Sequence, residues 1–223
     1  MATSNDANHT LLVAYGMLTL VTGLVDATSY LGLGHVFTAN MTGNVVFIGF
    51  GLGGAKGFAI SASLQALGGF LVGALVGGRI VSLPGSLVQA RVALVIETIL
   101  LSGVVADMIF TSSVRDVGTP VLFVLLGGAM GLQNATVRKL GVADMATTVL
   151  TLTLTGIAAD SSLAHGNNVH LVRRLASVAL MLIGALVGAF VLRVRLWLPI
   201  AVSALVVAAA MLTVIYASRV DNA

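Results

Sequence analysis

The sequence predicts an all-α membrane protein of six transmembrane helices plus two short polar segments, re-entrant or broken, arranged as two repeats. Three observations predict it. Hydrophobic residues fill 58% of the 223 positions and charged residues 9%, with a mean hydropathy of +1.07; a water-soluble globule of this length needs far more polar surface. Apolar runs follow one another along the chain, each near the ~20 residues needed to cross about 30 Å of hydrocarbon. The same short motifs recur in the same order in both halves. No dyad alternation marks a transmembrane barrel.

The first ten residues are polar and carry no Lys or Arg, and the apolar run that follows lacks a small-residue cleavage pattern. It reads as a retained span over 11–33 and not as a signal peptide. Further spans are predicted at 58–83, 92–111, 120–137, 175–194 and 198–217. Between them lie two shorter apolar stretches, 39–53 and 147–161, laced with Thr, Asn and Gly. The connectors at 82–91, 111–119, 138–144 and 161–174 hold the Gly, Pro, Asp, Asn and paired bases expected at helix ends. The whole chain, 1–223, is thus one transmembrane domain.

Gly23-Leu24-Val25-Asp26-Ala27-Thr28 aligns with Gly131-Leu132-Gln133-Asn134-Ala135-Thr136. With a one-residue shift, Ala39-Asn40-Met41-Thr42-Gly43-Asn44 falls on Thr148-Val149-Leu150-Thr151-Leu152-Thr153, and Gly73-Ala74-Leu75-Val76-Gly77 returns letter for letter at Gly184 to Gly188. Repeat one is expected over about 11–112 and repeat two over about 119–218. If all eight elements span, the basic residues divide without bias. If the short segments leave by the face they entered, Arg79, Arg91, Arg138, Lys139, Arg173, Arg174 and Arg219 share the N-terminal side against Lys56, Arg115, Arg193 and Arg195. The positive-inside rule prefers the second arrangement, with cytoplasmic termini and inverted repeats.

Polar residues inside apolar runs mark the candidate site. Asp26 sits late in the first span beside Thr28, and its repeat partner is Asn134, preceded by Gln133. Asn40, Thr42 and Asn44 crowd around Gly43 where hydrocarbon depth is expected, and non-helical backbone there requires surrounding protein or a water-filled cavity. In the second half Thr148 and Thr151 share a helical stripe with Thr155. These residues are the expected substrate contacts. Threonines bonding their own helix, and an aspartate near a helix end, are the structural alternatives. Glu97 and Asp26 are candidate proton or cation relays. Glu97 and Asp107 stand ten residues apart, about 80° in azimuth and about 15 Å in height, so they do not serve one site.

Other chemistries lack their parts. Cysteine is absent, and His9, His35, His165 and His170 fall in loops or the tail, with no spacing for a metal site. Ser161 and Ser162 near Asp160 and His165 have no nucleophile-elbow context, so no enzyme and no cofactor are expected. The net charge of +3 comes from bases scattered between apolar runs, which suits topology and not nucleic acid. Gly69, Gly73 and Gly77, with Gly184 and Gly188, form small-residue ridges fit to join the halves or two subunits as a homodimer.

At Gly23 to Tyr30, at Phe37-Thr38-Ala39-Asn40-Met41-Thr42-Gly43-Asn44, and at Gly131 to Ala135 followed by Arg138 and Thr147-Thr148, the sequence resembles the YoaK family of bacterial inner-membrane proteins. The resemblance covers nearly the whole chain. Where many relatives show a Thr-Gly pair in the second half, this chain spreads it over Thr151 to Gly156, against strict symmetry of the site. The resemblance implies a multi-pass protein of the inner (plasma) membrane in a family without an assigned function, some of whose members are labelled small-molecule transporters. A secondary transporter or channel for a small solute is the leading expectation. A membrane scaffold or chaperone is the alternative, and an intramembrane lipid enzyme ranks below both for want of a catalytic pair.

Overall fold

The computed structural model describes residues 4–110, 119–140 and 150–221, and every regular element among them is helical. In chain order these are α1 (Ser4–Gly32), α2 (Met41–Leu52), α3 (Ile60–Val81), α4 (Ser86–Phe110), α5 (Pro120–Leu140), α6 (Leu150–Ala159), a 3₁₀ turn (Ser162–Ala164), α7 (Leu171–Leu192) and α8 (Leu198–Asp221). Six of the helices are long and apolar enough to cross a membrane. At 1.5 Å per residue α2 and α6 reach only about 18 Å and 15 Å, well short of the hydrocarbon thickness. The protein is a multi-pass membrane protein whose long helices have lipid as their solvent.

Several boundaries differ from the sequence expectation. Helix α4 begins six residues earlier than predicted, directly after Pro84 and Gly85, and Gly85 supplies the positive φ of 83° that turns the chain. Helix α7 starts at Leu171, so Arg173 and Arg174 lie inside its first turn; Arg is a strong helix former, and the basic pair had read as a connector.

The most extensive helix pairings join helices that are not neighbours in the chain. Helix α1 packs on α7 and α8, and α5 packs on α3 and α4. Helices α4 and α8 lie against each other, α1 touches α5 narrowly, and α2 and α6 rest on α3 and α7. Each of these pairings maps onto another, or onto itself, when α1–α4 are exchanged for α5–α8. The two hub helices are the most buried: 67% of the most apolar window of α1 and 61% of that of α5 are inside the protein, against 17–39% for the other four spans.

Glycine makes the hubs close. Gly69, Gly73 and Gly77 face the backbone of Val124, Gly128 and Leu132 in turn, so α3 and α5 run parallel in register. A Cβ on Gly73 would collide with the Gly128 carbonyl oxygen. On the other side Gly23 lies on the backbone from Met181 to Ala185 and Gly184 lies on the Leu20 carbonyl, again in a parallel pair. Both ridges are buried within the chain and join first-half helices to second-half helices, which leaves neither on the surface for a second copy.

Candidate functional site

The first polar cluster is built by a reversal at the end of α1. Gly34 (φ 122°) and His35 (φ 60°) turn the chain back on itself, and the His35 N–H donates to the Tyr30 carbonyl at 3.0 Å. Gly34 adopts this backbone without the Cβ clash another residue would meet. The segment after it runs back beside α1 to the level of Asp26, whose Cα is about 9 Å from the end of the helix by rise. There the Thr38 and Ala39 N–H groups donate to Asp26 Oδ1 at 3.0 and 2.8 Å. Helix α2 begins two residues later, and its N-cap Asn40 makes no side-chain cap bond. A carboxylate from α1 therefore meets the positive end of α2. Asp26 is 5% exposed, and its Oδ2 has no hydrogen-bond partner among the described residues.

Asn44, fully buried in the first turns of α2, brackets the backbone of Phe37. The Phe37 N–H donates to its Oδ1 at 3.0 Å, and its Nδ2 donates to the Phe37 carbonyl at 2.5 Å. The Phe37 ring lies over Gly43, where a Cβ would come within 2.7 Å of it. Asn44→Ala is expected to remove both bonds and to speed amide exchange at Phe37 and Thr38 at least tenfold, read by hydrogen exchange in detergent; unchanged exchange would show that the bracket does not hold the loop.

The Thr28 hydroxyl donates to the Leu24 carbonyl at 2.8 Å, Asn40 is half-buried and Thr42 is exposed. Beside them runs a row of rings the sequence reading overlooked. Tyr30 stacks on Phe37 at 4.7 Å, Phe37 on Phe47 at 5.9 Å, and Phe58 meets both Phe47 and Phe50 at 5.5 and 5.2 Å. The sequence holds only eight Phe, three Tyr and one Trp, so their scarcity obscured the fact that five gather at one junction.

A second cluster lies deeper. Gln133 of α5 is fully buried, and its Nε2 donates to Thr22 Oγ1 at 2.9 Å and to the Leu18 carbonyl at 3.2 Å, both on α1. Its Oε1 has no hydrogen-bond partner among the described residues. Thr22 is one turn, about 6 Å, from Asp26 along α1. Asn134 instead turns to its own helix, donating to the Met130 carbonyl at 2.8 Å. Glu97 sits near the middle of α4 on a buried stripe with Leu94, Leu101 and Val104; it is fully buried, and neither carboxyl oxygen has a hydrogen-bond partner among the described residues. Asp107 lies three turns further on, near the end of α4.

On α6 the inward residue is Thr153, while Thr151 and Thr155 are exposed and the Thr155 hydroxyl returns to the Thr151 carbonyl. Thr148 lies outside the described residues. The candidate residues thus form two neighbouring groups along α1 and not one symmetric site. One is Asp26 with the 37–44 segment, the other Gln133 with Thr22.

Residues 15–217 match the model of a family described as a protein of unknown function, DUF1275. This chain belongs to the DUF1275 family. It is also 38% identical over 149 residues to the UPF0700 transmembrane protein YoaK of Bacillus subtilis (strain 168), a match covering 66% of this chain and 65% of that protein's length. No solved structure matches the chain.

In this DUF1275 protein the α6–α7 junction is closed by different means. Arg174 donates to Asp160 Oδ2 at 2.6 Å, and its guanidinium lies over Gly156, where a Cβ would come within 2.7 Å. The sequence places Arg174 among the topology signals and Asp160 at the end of the second short stretch, beside Ser161 and Ser162. Their partnership spans 14 positions and a 3₁₀ turn, a separation no helical periodicity announces.

Proposed function

We propose that this protein is a secondary transporter or channel for a small solute. It works by alternating access between two inverted repeats, in the inner (plasma) membrane with both termini cytoplasmic. The observation that carries the proposal is the set of buried polar atoms left unpaired deep in the long helices, Gln133 Oε1 beside Thr22 and both oxygens of Glu97. An unpaired polar atom at hydrocarbon depth is costly, and an apolar residue of the same size would serve packing better. Such atoms are explained if they meet a solute, a cation or water in another state of the protein. The narrow α1–α5 contact at Gln133 lies where the halves meet, the position repeat transporters use for their sites. In this reading Gln133 and Thr22 contact the solute, Glu97 serves as the cation or proton relay, and Asp26 with Asn40, Thr42 and Asn44 sets the broken segment that gates one side. Among the described residues no Arg or Lys makes an ion pair or hydrogen bond with these groups, which favours neutral, zwitterionic or cationic solutes over anions. The reading is transport, not catalysis.

The absence of cysteine allows a test that needs no known substrate. Thr22→Cys and Gln133→Cys are expected to react with a membrane-impermeant thiol reagent added from either side of sealed vesicles. Leu205→Cys, facing lipid, should react from neither side, and Ala55→Cys, in the α2–α3 loop, from one alone. Protection of both core cysteines from both sides would refute alternating access. It would support the second reading, a static membrane scaffold or chaperone, which the committed bonds of Asp26 and Asn44 favour.

A further inference from the structure

Two apolar grooves open on the lipid-facing surface, and the pairing of the helices relates them. One, of about 520 Å³, lies between α3, α4 and α5; the other, of about 610 Å³, lies between α7, α8 and α1. Their linings correspond: Gln65 and Gly69 on α3 stand where Ala176 and Leu180 stand on α7, in the register that sets Gly73 against Gly184. Their polar ends do not correspond. The α3 groove is lined by Gln65 as its one polar side chain and by no charged residue. The α7 groove has His9 and Arg173 at one end. Arg173 is exposed and makes no ion pair or hydrogen bond among the described residues, whereas the neighbouring Arg174 is turned inward to Asp160.

Below Arg173 and His9 the groove is apolar. On α1 its lining runs from Leu12 to Leu20 and on α7 from Val172 to Leu180, about 12 Å by helical rise. That length is close to half of the ~30 Å hydrocarbon layer, the depth of one leaflet. A cation at the membrane surface above an apolar trough one leaflet deep is complementary to one kind of occupant, an anionic headgroup on an acyl chain. We propose that the α1/α7/α8 groove is a binding site for an anionic glycerophospholipid. The lipid phosphate sits on Arg173 with His9 beside it, and one acyl chain lies along Leu12, Gly16 and Leu180. The groove opens at the N-terminal ends of α1 and α7, the side on which most basic residues gather when six helices cross, and there anionic lipid and cationic side chains attract. The site is separate from the Gln133 and Glu97 groups and does not depend on transport.

The test is native mass spectrometry of the full chain titrated with phosphatidylglycerol and with phosphatidylcholine of the same acyl composition. The wild type is expected to keep one phosphatidylglycerol in preference to phosphatidylcholine. Arg173→Ala should lower that preference about fivefold, the worth of one basic side chain at an anionic surface, and Arg173→Lys should restore it. Ala176→Phe, which fills the groove from an exposed position, should abolish retention of both lipids. Gly68→Phe, filling the other groove, should change nothing. Undiminished preference in Arg173→Ala, or loss of preference in Gly68→Phe alone, overturns the proposal. So does a lipid-free dimer that Ala176→Phe dissociates, which would give the groove to a second copy of the chain.

Discussion

Gly73→Ala is expected to destabilise the protein, and Gly73→Val to cost about 3 kcal/mol or more, although each replaces glycine in the middle of a helix where glycine is a poor residue. The reason is the α3–α5 contact. A Cβ at position 73 meets the carbonyl oxygen, carbonyl carbon and Cα of Gly128, all backbone, so no side-chain rotation relieves the overlap. Two parallel helices must separate, and the Gly69–Val124 and Gly77–Leu132 contacts above and below open with them. Gly68, one residue along from Gly69 and exposed, is the control: no atom lies within 4 Å of its added Cβ. Gly68→Ala should be neutral or stabilising by up to about 1 kcal/mol through helix propensity alone. Equilibrium unfolding in mixed micelles measures both. Equal stability of Gly73→Ala and Gly68→Ala would show that the helices are not held at backbone contact.

The second large effect belongs to Asp26. Asp26→Ala strands the Thr38 and Ala39 N–H groups inside the protein, and buried donors that lose a charged acceptor cost about 1–3 kcal/mol each. The expected loss is about 3 kcal/mol. It should come with faster exchange of the Thr38 and Ala39 amides, because those bonds fix the entry to α2. Asp26→Asn keeps one carbonyl oxygen facing the two donors and should recover about half of the stability. Failure of Asp26→Ala to alter exchange over 37–40 would remove Asp26 from this structural role and leave it to the solute pathway alone.

The spans were legible because lipid imposes one demand at a time: length and apolarity suffice to find a helix that crosses. The two short segments were legible too, from Asn and Thr where hydrocarbon should be. The Gly73 and Gly184 ridges announced close packing, but a ridge of small residues carries no label for its partner, so the crossed pairing of α3 with α5 and α7 with α1 could not be read. The destination of Asp26 was hidden for a different reason. Its bonds depend on a turn at Gly34 and His35, and that turn decides whether residues twelve and thirteen places on lie beside the carboxylate or in water. The polar letters of 37–44 looked like a cavity lining, yet Asn44 spends its carboxamide on the Phe37 backbone. Gln133 was found as a polar residue preceding Asn134, the repeat partner of Asp26, and the structure sets it on Leu18 and Thr22.

The crossed pairing also bears on the order in which the chain is made. Helix α1 leaves the ribosome before the helices that enclose it, and α7 and α8 follow about 140 residues or more later, roughly ten to thirty seconds at ordinary synthesis rates. Throughout that interval α1 stands in the membrane without its lasting neighbours. Its polar groups are suited to the wait. Thr19, Thr22 and Thr28 each donate to the carbonyl four residues before, and the Asp26 carboxylate takes its two donors from residues that emerge within the next thirteen. The polar groups of α1 are thus furnished largely from its own neighbourhood, and an early helix can await late partners in lipid with these hydroxyls and Asp26 Oδ1 already bonded.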